Sequence, residues 1–529
     1  MRNRFFWKML YLKKPFLAFV LVLALAVPAI ASAHDLVIYH TNDVHGYAFE
    51  ERGSEGQLTR IGYDRLKAII DADPTPRKLL LDAGDVLHGQ AFATARRGEF
   101  SAIVLSLMGY DAIATGNHDF DYGYERLLEL SAKYRLNFLS ANVSYASGKA
   151  KGETILPPYR VRSWNDFKVG IFGLATPTTV TTTGPLNVEG LVIKDPIETA
   201  RAVVKRLKRE GVDLIVAVTH MGSEPYCVPM SQTVAEQVPG IDIIIDGHSH
   251  STVAARVKRA DGSSALVASA GSYFENVGRI TVNRSARGEL SISARTLAAS
   301  SFEVELAPHD PAMRQAMNAL KVELDKEMNL VVMKAPFDLD GARVRVRSSS
   351  TNLGRIICAA IAEATDADAA FMNSGTVRNS IQAGDVTKGQ LLSVMPYGNY
   401  IYLIEISGKD LLEALNFGLG QTGSGAFPQL WGIEIVARTT ELVGSDGTRK
   451  EALTVDSATI GGKPLDPEAT YTLAINDFIH SGGDGYEVFT KYDYREFETL
   501  EEVFRAFVTE KDSATLQSIS DASVMEIKK

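Results

Sequence analysis

Between residue 34 and about residue 298, short apolar runs alternate with longer segments whose apolar residues recur at helical spacing. The short runs are typical of buried strands and cover 36–39, 78–81, 112–114, 169–172, 214–218 and 241–245. The longer segments predict helices over 58–71, 99–108, 122–134 and 196–210. The pattern over residues 265–297 predicts β-hairpins without helices. The pattern as a whole predicts an α/β domain.

A second pattern begins after Pro308. Asp310 and Pro311 are an N-cap and a first helical residue, and they predict a charged, amphipathic helix to about Met328. A mixed α/β pattern then resumes, with helices predicted over 352–364 and 408–417 and loops over 386–389 and 418–425. The predicted organisation is a segment 1–33 outside the fold, a first domain over 34–308, a linker helix over 309–330 and a second domain over 331–529.

Residues 1–33 have the features of a signal peptide. Basic residues precede the apolar run 16–30, and Ala31-Ser32-Ala33 supplies the small residues required for cleavage. The run is short for a membrane span, which needs about 20 residues, although an uncleaved anchor is the alternative. We therefore expect an exported, periplasmic or extracellular protein that has no membrane association after cleavage and starts near His34.

Five short motifs place potential metal ligands directly after apolar runs of the first domain. They are Asp43-Val-His45, Gly84-Asp85, Gly116-Asn-His-Asp-Phe-Asp121, Thr219-His220 and Gly247-His-Ser-His250. Some are weak signals by themselves, because Asp-x-His pairs and Gly-Asp turns are common in loops. Together, they predict a site at the carboxyl ends of the strands. Two divalent metals held there could polarise a phosphoryl oxygen and generate hydroxide at neutral pH.

A two-metal site of this kind needs one bridging carboxylate and further imidazole or oxygen ligands on each side. Asp85 suits the bridge, and the terminal positions suit Asp43, His45, Asn117, His220, His248 and His250. Nitrogen and oxygen ligands without thiolate favour Mn, Zn, Fe or Co over Cu(I) or iron–sulfur chemistry. Cys227 and Cys358, the only cysteines, fall in different predicted domains, so two unpaired thiols are favoured over a disulfide.

Composition and charge narrow the class of partner. The chain has 529 residues, of which 45% are hydrophobic and 22% charged, and this balance is that of a globular protein with two or three domains. The net charge of −9 argues against non-specific binding to a nucleic acid polymer, which needs a basic surface. A small anionic substrate remains compatible, because a bound metal can dominate the local field of an acidic protein.

The ordered motifs resemble those of the calcineurin-like metallophosphoesterases. The longer strings Thr41-Asn-Asp-Val-His-Gly46 and Gly116–Asp121 are more similar to one branch, the 5′-nucleotidase/UDP-sugar hydrolase family. The resemblance covers almost all of the predicted mature chain, and it implies a four-layer metallophosphoesterase sandwich followed by a nucleotide-recognition domain. It implies one metal held by Asp43, His45, Asp85 and His250, and another held by Asp85, Asn117, His220 and His248.

The same resemblance identifies His118 and Asp121 with the catalytic dyad of the family. His118 would stabilise charge on the phosphoryl group or assist the leaving oxygen, and Asp121 would fix its tautomer. A structural histidine that supports the metal ligands without acting on the substrate is the alternative for His118. The chain departs from typical 5′-nucleotidases at His250, where those proteins have Gln or Asn, so metal preference and subfamily stay open.

The second domain carries weaker signals by itself. Arg343, Arg345 and Arg347 alternate, which is more typical of the solvated face of a strand than of a binding site. The resemblance implies that Tyr397 and Phe478 sandwich a base, that Asp484 binds the ribose hydroxyls, and that Asn373 and Asn399 make base or ribose contacts. It further implies that Arg343, Arg347 and Arg378 meet the charge of the substrate. Thr376 stands where the family has Gly, which would add bulk beside Arg378.

These inferences predict an exported phosphohydrolase with two divalent metal ions (Mn, Zn, Co or Fe). A metal-held hydroxide would attack a nucleotide phosphorus in line, and a nucleoside 5′-monophosphate is the expected substrate. UDP-sugars, nucleoside di- or triphosphates, 2′,3′-cyclic nucleotides and thiosulfate esters on a carrier protein are alternatives on the same metal site. A nucleotide-binding protein without catalysis is the alternative from another class. The family resemblance also implies that the two domains rotate about the linker helix.

Overall fold

The computed structural model describes residues 35–180, 182–225, 227–443 and 449–528. The predicted signal peptide lies outside these residues. Within the described part of the chain, no helix combines the length and the apolar character that a bilayer crossing requires.

Two six-stranded sheets form the centre of the first domain. One contains, in spatial order, Leu290–Ala298, Asn276–Arg284, Leu36–Thr41, Lys78–Asp82, Ala112–Ala114 and Phe138–Leu139. The other contains Thr252–Lys258, Ser264–Ala270, Ile243–Asp246, Leu214–His220, Phe167–Ala175 and Tyr159–Trp164. Four neighbouring strands run parallel in each sheet, so their carboxyl ends share one edge.

The two sheets face each other, and helices cover their outer faces. Leu36 and Ile38 of one sheet and Val169 and Leu214 of the other belong to one fully buried cluster between the sheets. Helices Tyr63–Ala72, Ala91–Thr94, Glu99–Met108 and Tyr124–Tyr134 pack on one side, and Pro196–Arg209 and Ser231–Gln237 pack on the other. The resulting order is helix, sheet, sheet, helix, which confirms the four-layer expectation.

A single long helix, Pro311–Met328, leads from the first domain to the second. The carboxylate of its N-cap, Asp310, accepts a hydrogen bond from the Met313 N–H at 2.7 Å, and Pro311 occupies the first helical position. Both features are common at helix starts. The helix predicted from these residues is confirmed.

The second domain is built on a five-stranded sheet with the order Pro428–Trp431, Ala369–Asn373, Thr470–Asn476, Tyr400–Ser407 and Tyr494–Thr499. Helices Asn352–Thr365, Lys388–Val394, Leu500–Glu510 and Ser513–Asp521 cover one face. Helix Gly408–Gly420 packs on the other, beside a four-stranded sheet of Lys463–Pro464, Arg449–Ile460, Ile433–Val443 and Met525–Lys528.

Three local predictions are corrected. The helix expected over 58–71 begins only at Tyr63, after Gly62 at a φ of 76°, and Leu58–Arg60 is a short strand. Residues 386–389 are not a loop, because strand Gly384–Thr387 leads directly into helix Lys388–Val394 through a capping box of Thr387 and Gln390. The alternating arginines form a one-turn helix, Arg343–Val346, rather than a strand. Cys227 and Cys358 are both buried and unpaired, as expected.

Candidate metal centre and substrate-recognition surface

The five motif loops of the first domain converge where its parallel strands end. Asp43 and His45 follow strand Leu36–Thr41, Asp85 follows Lys78–Asp82, Asn117 follows Ala112–Ala114, His220 ends Leu214–His220, and His248 and His250 follow Ile243–Asp246. Five of these residues have left-handed backbone, with φ between 47° and 77°: Asp43, His45, Asp85, His248 and His250. Non-glycine residues adopt this conformation at a cost, and such residues cluster at functional sites.

One group of three side chains consists of Asp43, His45 and His250, whose ligand atoms all lie within 4.8 Å of one another. The His250 Nε2 is 3.5 Å from Asp43 Oδ1 and 3.3 Å from His45 Nε2. The His45 Nε2 is also 3.5 Å from Asp85 Oδ2. Asp85 therefore adjoins this group.

The second group consists of Asp43, Asp85 and His220. The His220 Nε2 is 3.0 Å from Asp85 Oδ2, while the Asn117 Oδ1 is 3.0 Å from His248 Nδ1. The main-chain N–H of His248 donates to Asp43 at 3.0 Å, which ties the His-x-His loop to the first motif. Asp85 contacts a histidine of each group, which is the arrangement expected of a bridging ligand.

Glycine is required where these loops touch. A Cβ on Gly116 would collide with the Asp85 carboxylate, and a Cβ on Gly247 would lie 2.8 Å from His220 Nδ1 and 2.9 Å from Asp43 Oδ2. The glycines of the motifs therefore permit the close approach of the ligand loops.

The charge and hydrogen bonding of these residues fit divalent cations. The His220 Nδ1 donates to the Ala83 carbonyl at 2.7 Å, so its buried Nε2, which lies 3.0 Å from Asp85 Oδ2, is the ring nitrogen available to a metal. Burial disfavours a charged His220 ring, but the Asp85 carboxylate outweighs it and raises the pKa of His220 to about 10, so a bound cation would displace the proton between these two residues. Burial lowers the pKa of His248 to about 3, which keeps that ring neutral and able to bind a metal.

Asp119 organises the loops around this centre, a role that the sequence did not assign. Its carboxylate accepts the N–H groups of Gly116, Asp85, Val86 and Leu87 at 2.8–3.0 Å. Four main-chain donors on one buried carboxylate hold two ligand loops in register. The position of Asp119 inside the Gly-Asn-His-Asp motif was the sequence signal from which this role could have been predicted.

His118 and Asp121 form a hydrogen-bonded pair beside the ligand groups. The His118 Nδ1 lies 2.9 Å from Asp121 Oδ2, and the Thr183 hydroxyl donates to the other carboxylate oxygen at 2.7 Å. Burial disfavours the charged form of His118, but the carboxylates of Asp121 and Asp85 outweigh this effect and raise its pKa well above the usual value. The arrangement leaves Nε2 as the ring nitrogen that can reach a substrate.

Three further residues adjoin this pair and were missed by the sequence reasoning. They are His88 of the first domain and Tyr400 and Glu496 of the second. The buried Glu496 carboxylate lies 3.7 Å from His118 Nδ1, and His88 Nδ1 lies 3.3 Å from Asp121 Oδ2. None belongs to a metal-ligand motif, and two come from distant strands, so no local signal could have identified them.

The predicted substrate-reading residues lie together on the second domain. Arg343 and Arg378 are close enough for their charges to lower the pKa of Arg347, an effect in which burial is the larger cause. The Arg347 Nε is buried without a hydrogen-bond partner, as expected of a group that awaits an anion. Tyr397 and Phe478 are 53% and 44% exposed, so both rings can stack on a base.

The predicted polar substrate contacts, Asn373, Asn399 and Asp484, take part in hydrogen bonds on the second domain. Asn373 is buried, and its amide donates to Asp484 Oδ2 at 2.8 Å, so it positions Asp484. Asn399 donates to Asp477 at 2.7 Å beside Phe478. Thr376 is buried, and its hydroxyl donates to Asn373 Oδ1 at 2.8 Å.

Comparison with known families agrees with this geometry. Residues 36–252 match the calcineurin-like phosphoesterases, and residues 331–491 match the 5′-nucleotidase C-terminal domain. A 5′-nucleotidase of Vibrio cholerae is 31% identical over 503 residues, which cover 87% of each chain.

The chain is also 32% identical to the trifunctional nucleotide phosphoesterase YfkN of Bacillus subtilis, and it spans only 33% of the length of that protein. Among solved structures, a 5′-nucleotidase precursor of Thermus thermophilus has a TM-score of 0.57 at 27% identity, covering 93% of this chain and 99% of its own.

Proposed function

This chain belongs to the 5′-nucleotidase family, and we propose that it is an exported enzyme that hydrolyses nucleoside 5′-monophosphates to nucleoside and phosphate. The observation that carries the proposal is that two Asp/His groups share Asp43 and both contact Asp85, directly beside the His118–Asp121 pair. Ligand groups that share a carboxylate, next to a histidine–carboxylate pair, are suited to phosphate-ester hydrolysis.

Seven side chains would hold two divalent metal ions: Asp43, His45, Asp85, Asn117, His220, His248 and His250. When bound, the metals would activate water as the nucleophile and polarise the phosphoryl oxygens. The buried Nε2 of His220 supports the assignment, because it lies 3.0 Å from Asp85 Oδ2 and a cation bound by both atoms would replace the proton between them.

His118 would act on the leaving group. Asp121 occupies its Nδ1, so a proton on Nε2 can be donated to the 5′-oxygen as the bond to phosphorus breaks. The pair needs no metal contact for this step. The leaving alkoxide is strongly basic, so proton donation is the contribution that the protein side chains can make directly.

Substrate recognition would come from the second domain. Arg343, Arg347 and Arg378 offer a cluster of planar donors for the charge of the substrate. Tyr397 and Phe478 would stack on the base, each contact being worth about 1–3 kcal/mol, and Asp484 would accept the ribose hydroxyls.

The same site suits UDP-sugars, nucleoside di- or triphosphates and 2′,3′-cyclic nucleotides, which differ in the leaving group. The exposed Tyr397 and Phe478 disfavour a thiosulfate ester on a carrier protein, which offers no ring to stack. A catalytically silent binding protein is disfavoured by the complete His118–Asp121 pair.

Phosphate release from AMP, ATP, UDP-glucose and 2′,3′-cyclic AMP, measured side by side with added Mn²⁺, tests the proposal. We expect AMP to be preferred and a chelator to abolish release. UDP-glucose and the cyclic ester are scored after a phosphatase is added, because their first products retain phosphate. Strong preference for another substrate would overturn the monophosphate assignment, and no release from any would overturn the enzymatic one.

The variant His118→Ala should lose turnover by about 10²–10⁴-fold, the usual contribution of a general acid. AMP affinity, measured by calorimetry, should change little, because the base and charge contacts belong to the second domain. The control is Lys67→Ala, because this partly exposed side chain lies on an outer helix and pairs with Asp71 of the same helix. Wild-type turnover in His118→Ala would contradict the assigned role.

A further inference from the structure

Tyr400, the first residue of strand Tyr400–Ser407 in the second domain, packs against the His118–Asp121 pair of the first. Its ring stacks on the His118 ring, with centroids 4.3 Å apart and planes inclined by 25°. The side chain is buried at this junction. A residue remote in sequence therefore covers one face of the imidazole.

The Tyr400 hydroxyl completes the hydrogen bonding of Asp121. It donates its single proton to Asp121 Oδ2 at 2.9 Å, so the short contact with His88 has the His88 Nδ1–H as donor. Asp121 Oδ2 thus accepts from both His118 and Tyr400, while Thr183 donates to Oδ1. Both carboxylate oxygens are held in place.

We propose that Tyr400 is a positioning residue for leaving-group protonation. Its ring face and its hydrogen bond to Asp121 fix the plane of His118, so that Nε2 meets the leaving oxygen. The inference rests on the proposed function only in naming that oxygen as the 5′-oxygen of a nucleotide. Small displacements of a proton donor reduce the catalytic rate strongly, so the loss of a residue that positions His118 should lower turnover.

The place of Tyr400 in the chain links this role to substrate recognition. It directly follows Tyr397-Gly-Asn399, and Asn399 donates to Asp477 Oδ1, which also accepts the Phe478 N–H at 2.7 Å. The strand end that carries one predicted base-stacking ring therefore also contacts the catalytic pair. The contact that places the second domain against the first therefore also orients the His118 ring.

The test compares two leaving groups in Tyr400→Phe, which retains the ring and removes the hydroxyl. AMP releases a basic alkoxide and needs a proton, whereas p-nitrophenyl phosphate releases a phenolate that does not. We expect kcat for AMP to fall by about tenfold, a fraction of the general-acid contribution, with KM within twofold. The loss with p-nitrophenyl phosphate should be less than threefold.

Tyr402→Phe is the matched control, because Tyr402 lies two residues further along the same strand and its ring stacks on Tyr494 at 3.9 Å. It should retain AMP turnover. In a His118→Ala background, Tyr400→Phe should have no further effect on AMP turnover, since the two residues act through one step.

Equal losses on both substrates, or undiminished AMP turnover in Tyr400→Phe, would overturn the inference. A readout without metal or substrate is the coupling between Tyr400→Phe and Asp121→Asn in the free energy of unfolding, and additive effects would also count against it. If the wild type cleaves aryl phosphates but not AMP, the proposed function fails. Benzyl phosphate then replaces AMP as the alkoxide-releasing substrate, and Tyr400 is judged on it.

Discussion

At the scale of single residues, the site depends on side chains that hold other side chains. Thr376 donates to Asn373 Oδ1, and the Asn476 amide donates to both of them at 2.9 Å. Asn373 in turn donates to Asp484, and the Asn476 Oδ1 caps the short helix that carries Phe478. This buried network therefore joins the predicted ribose ligand to one predicted base-stacking ring.

Thr376→Val removes one hydroxyl from this network while keeping the volume of the side chain. We expect KM for AMP to rise several-fold with kcat little changed, and stability to fall by about 1–3 kcal/mol, because buried polar atoms lose their partner. KM for 2′,3′-dideoxy-AMP, which lacks the hydroxyls, should not rise. Steady-state kinetics on both nucleotides check this.

Thr365→Val provides the control, because the Thr365 hydroxyl is also buried but donates only to helix carbonyls, the closer being Ile361 at 2.7 Å. It should lower stability without raising KM. A parallel rise of KM for the dideoxy nucleotide in Thr376→Val would show that Asp484 does not read the ribose.

At the scale of elements, Asp73 joins three parts of the first domain. It follows helix Tyr63–Ala72, and its carboxylate accepts from Tyr39 on strand Leu36–Thr41 at 2.9 Å and from Arg279 on strand Asn276–Arg284 at 2.7 Å. The Thr75 N–H is a third donor at 2.9 Å. One charge therefore fastens a helix end to two neighbouring strands.

Asp73→Asn should destabilise the protein in a pH-dependent way. Burial would raise the pKa of Asp73, but the Arg279 guanidinium and the Thr75 N–H outweigh it and hold the pKa well below the usual range. A carboxyl with a depressed pKa in the folded state stabilises above its unfolded pKa of about 3.9, and this stabilisation is lost as the pH falls further.

Urea denaturation should therefore show a deficit of about 1–3 kcal/mol for Asp73→Asn at pH 7, shrinking between pH 4 and pH 2. Asp71→Asn is the control, because Asp71 is on the same helix but makes an exposed pair with Lys67 and should cost less than about 1 kcal/mol. A deficit as large at pH 2 as at pH 7 would rule out the charge as its cause.

At the scale of the whole molecule, the linker helix is fastened to the first domain. Arg96 donates to Glu327 at 2.7 Å and to Glu323 at 3.3 Å, both on helix Pro311–Met328. Lys388 of the second domain donates to the Ala95 carbonyl at 3.2 Å beside it. The same segment of the first domain therefore holds both the linker helix and the second domain.

The two free thiols can report on each domain separately. Cys227 is buried beside the ligand loops, since its neighbour Glu224 accepts from Ser251 at 2.7 Å, directly after His250. Cys358 is buried in the second domain. Burial raises the pKa of Cys227 to about 11 and that of Cys358 still higher, so both should be inert to thiol reagents in the native protein.

Metal removal should lower the urea concentration at which Cys227 becomes reactive and leave that of Cys358 nearly unchanged. The reason is that metal binding stabilises the domain that holds it. Thiol labelling across a urea series, read by mass spectrometry with and without a chelator, measures both midpoints in one sample, with Cys358 as the internal control. Equal shifts at both cysteines would show that the domains unfold as one unit.

Local pattern was sufficient for much of the first domain. The six predicted strands lie where expected, helix Glu99–Met108 has the predicted bounds, and helix Pro311–Met328 begins at its predicted cap. These elements follow from apolar periodicity and capping, which are encoded within a few residues. The same reasoning did not predict the one-turn helix at Arg343, because arginines that alternate over five residues are equally compatible with a strand.

The sequence alone was enough to predict the chemistry of the first domain. Asp, Asn and His residues that follow successive apolar runs predict metal ligands, and the family resemblance assigns a catalytic dyad. Only the tertiary structure decided which side chains position others. Asp119 binds the main chain of two ligand loops, Thr376 donates to Asn373, and the Tyr400 ring stacks on His118. The reason is physical, because a side chain's own type determines what it can bind, but only the packing of distant strands determines what lies within hydrogen-bonding distance of it.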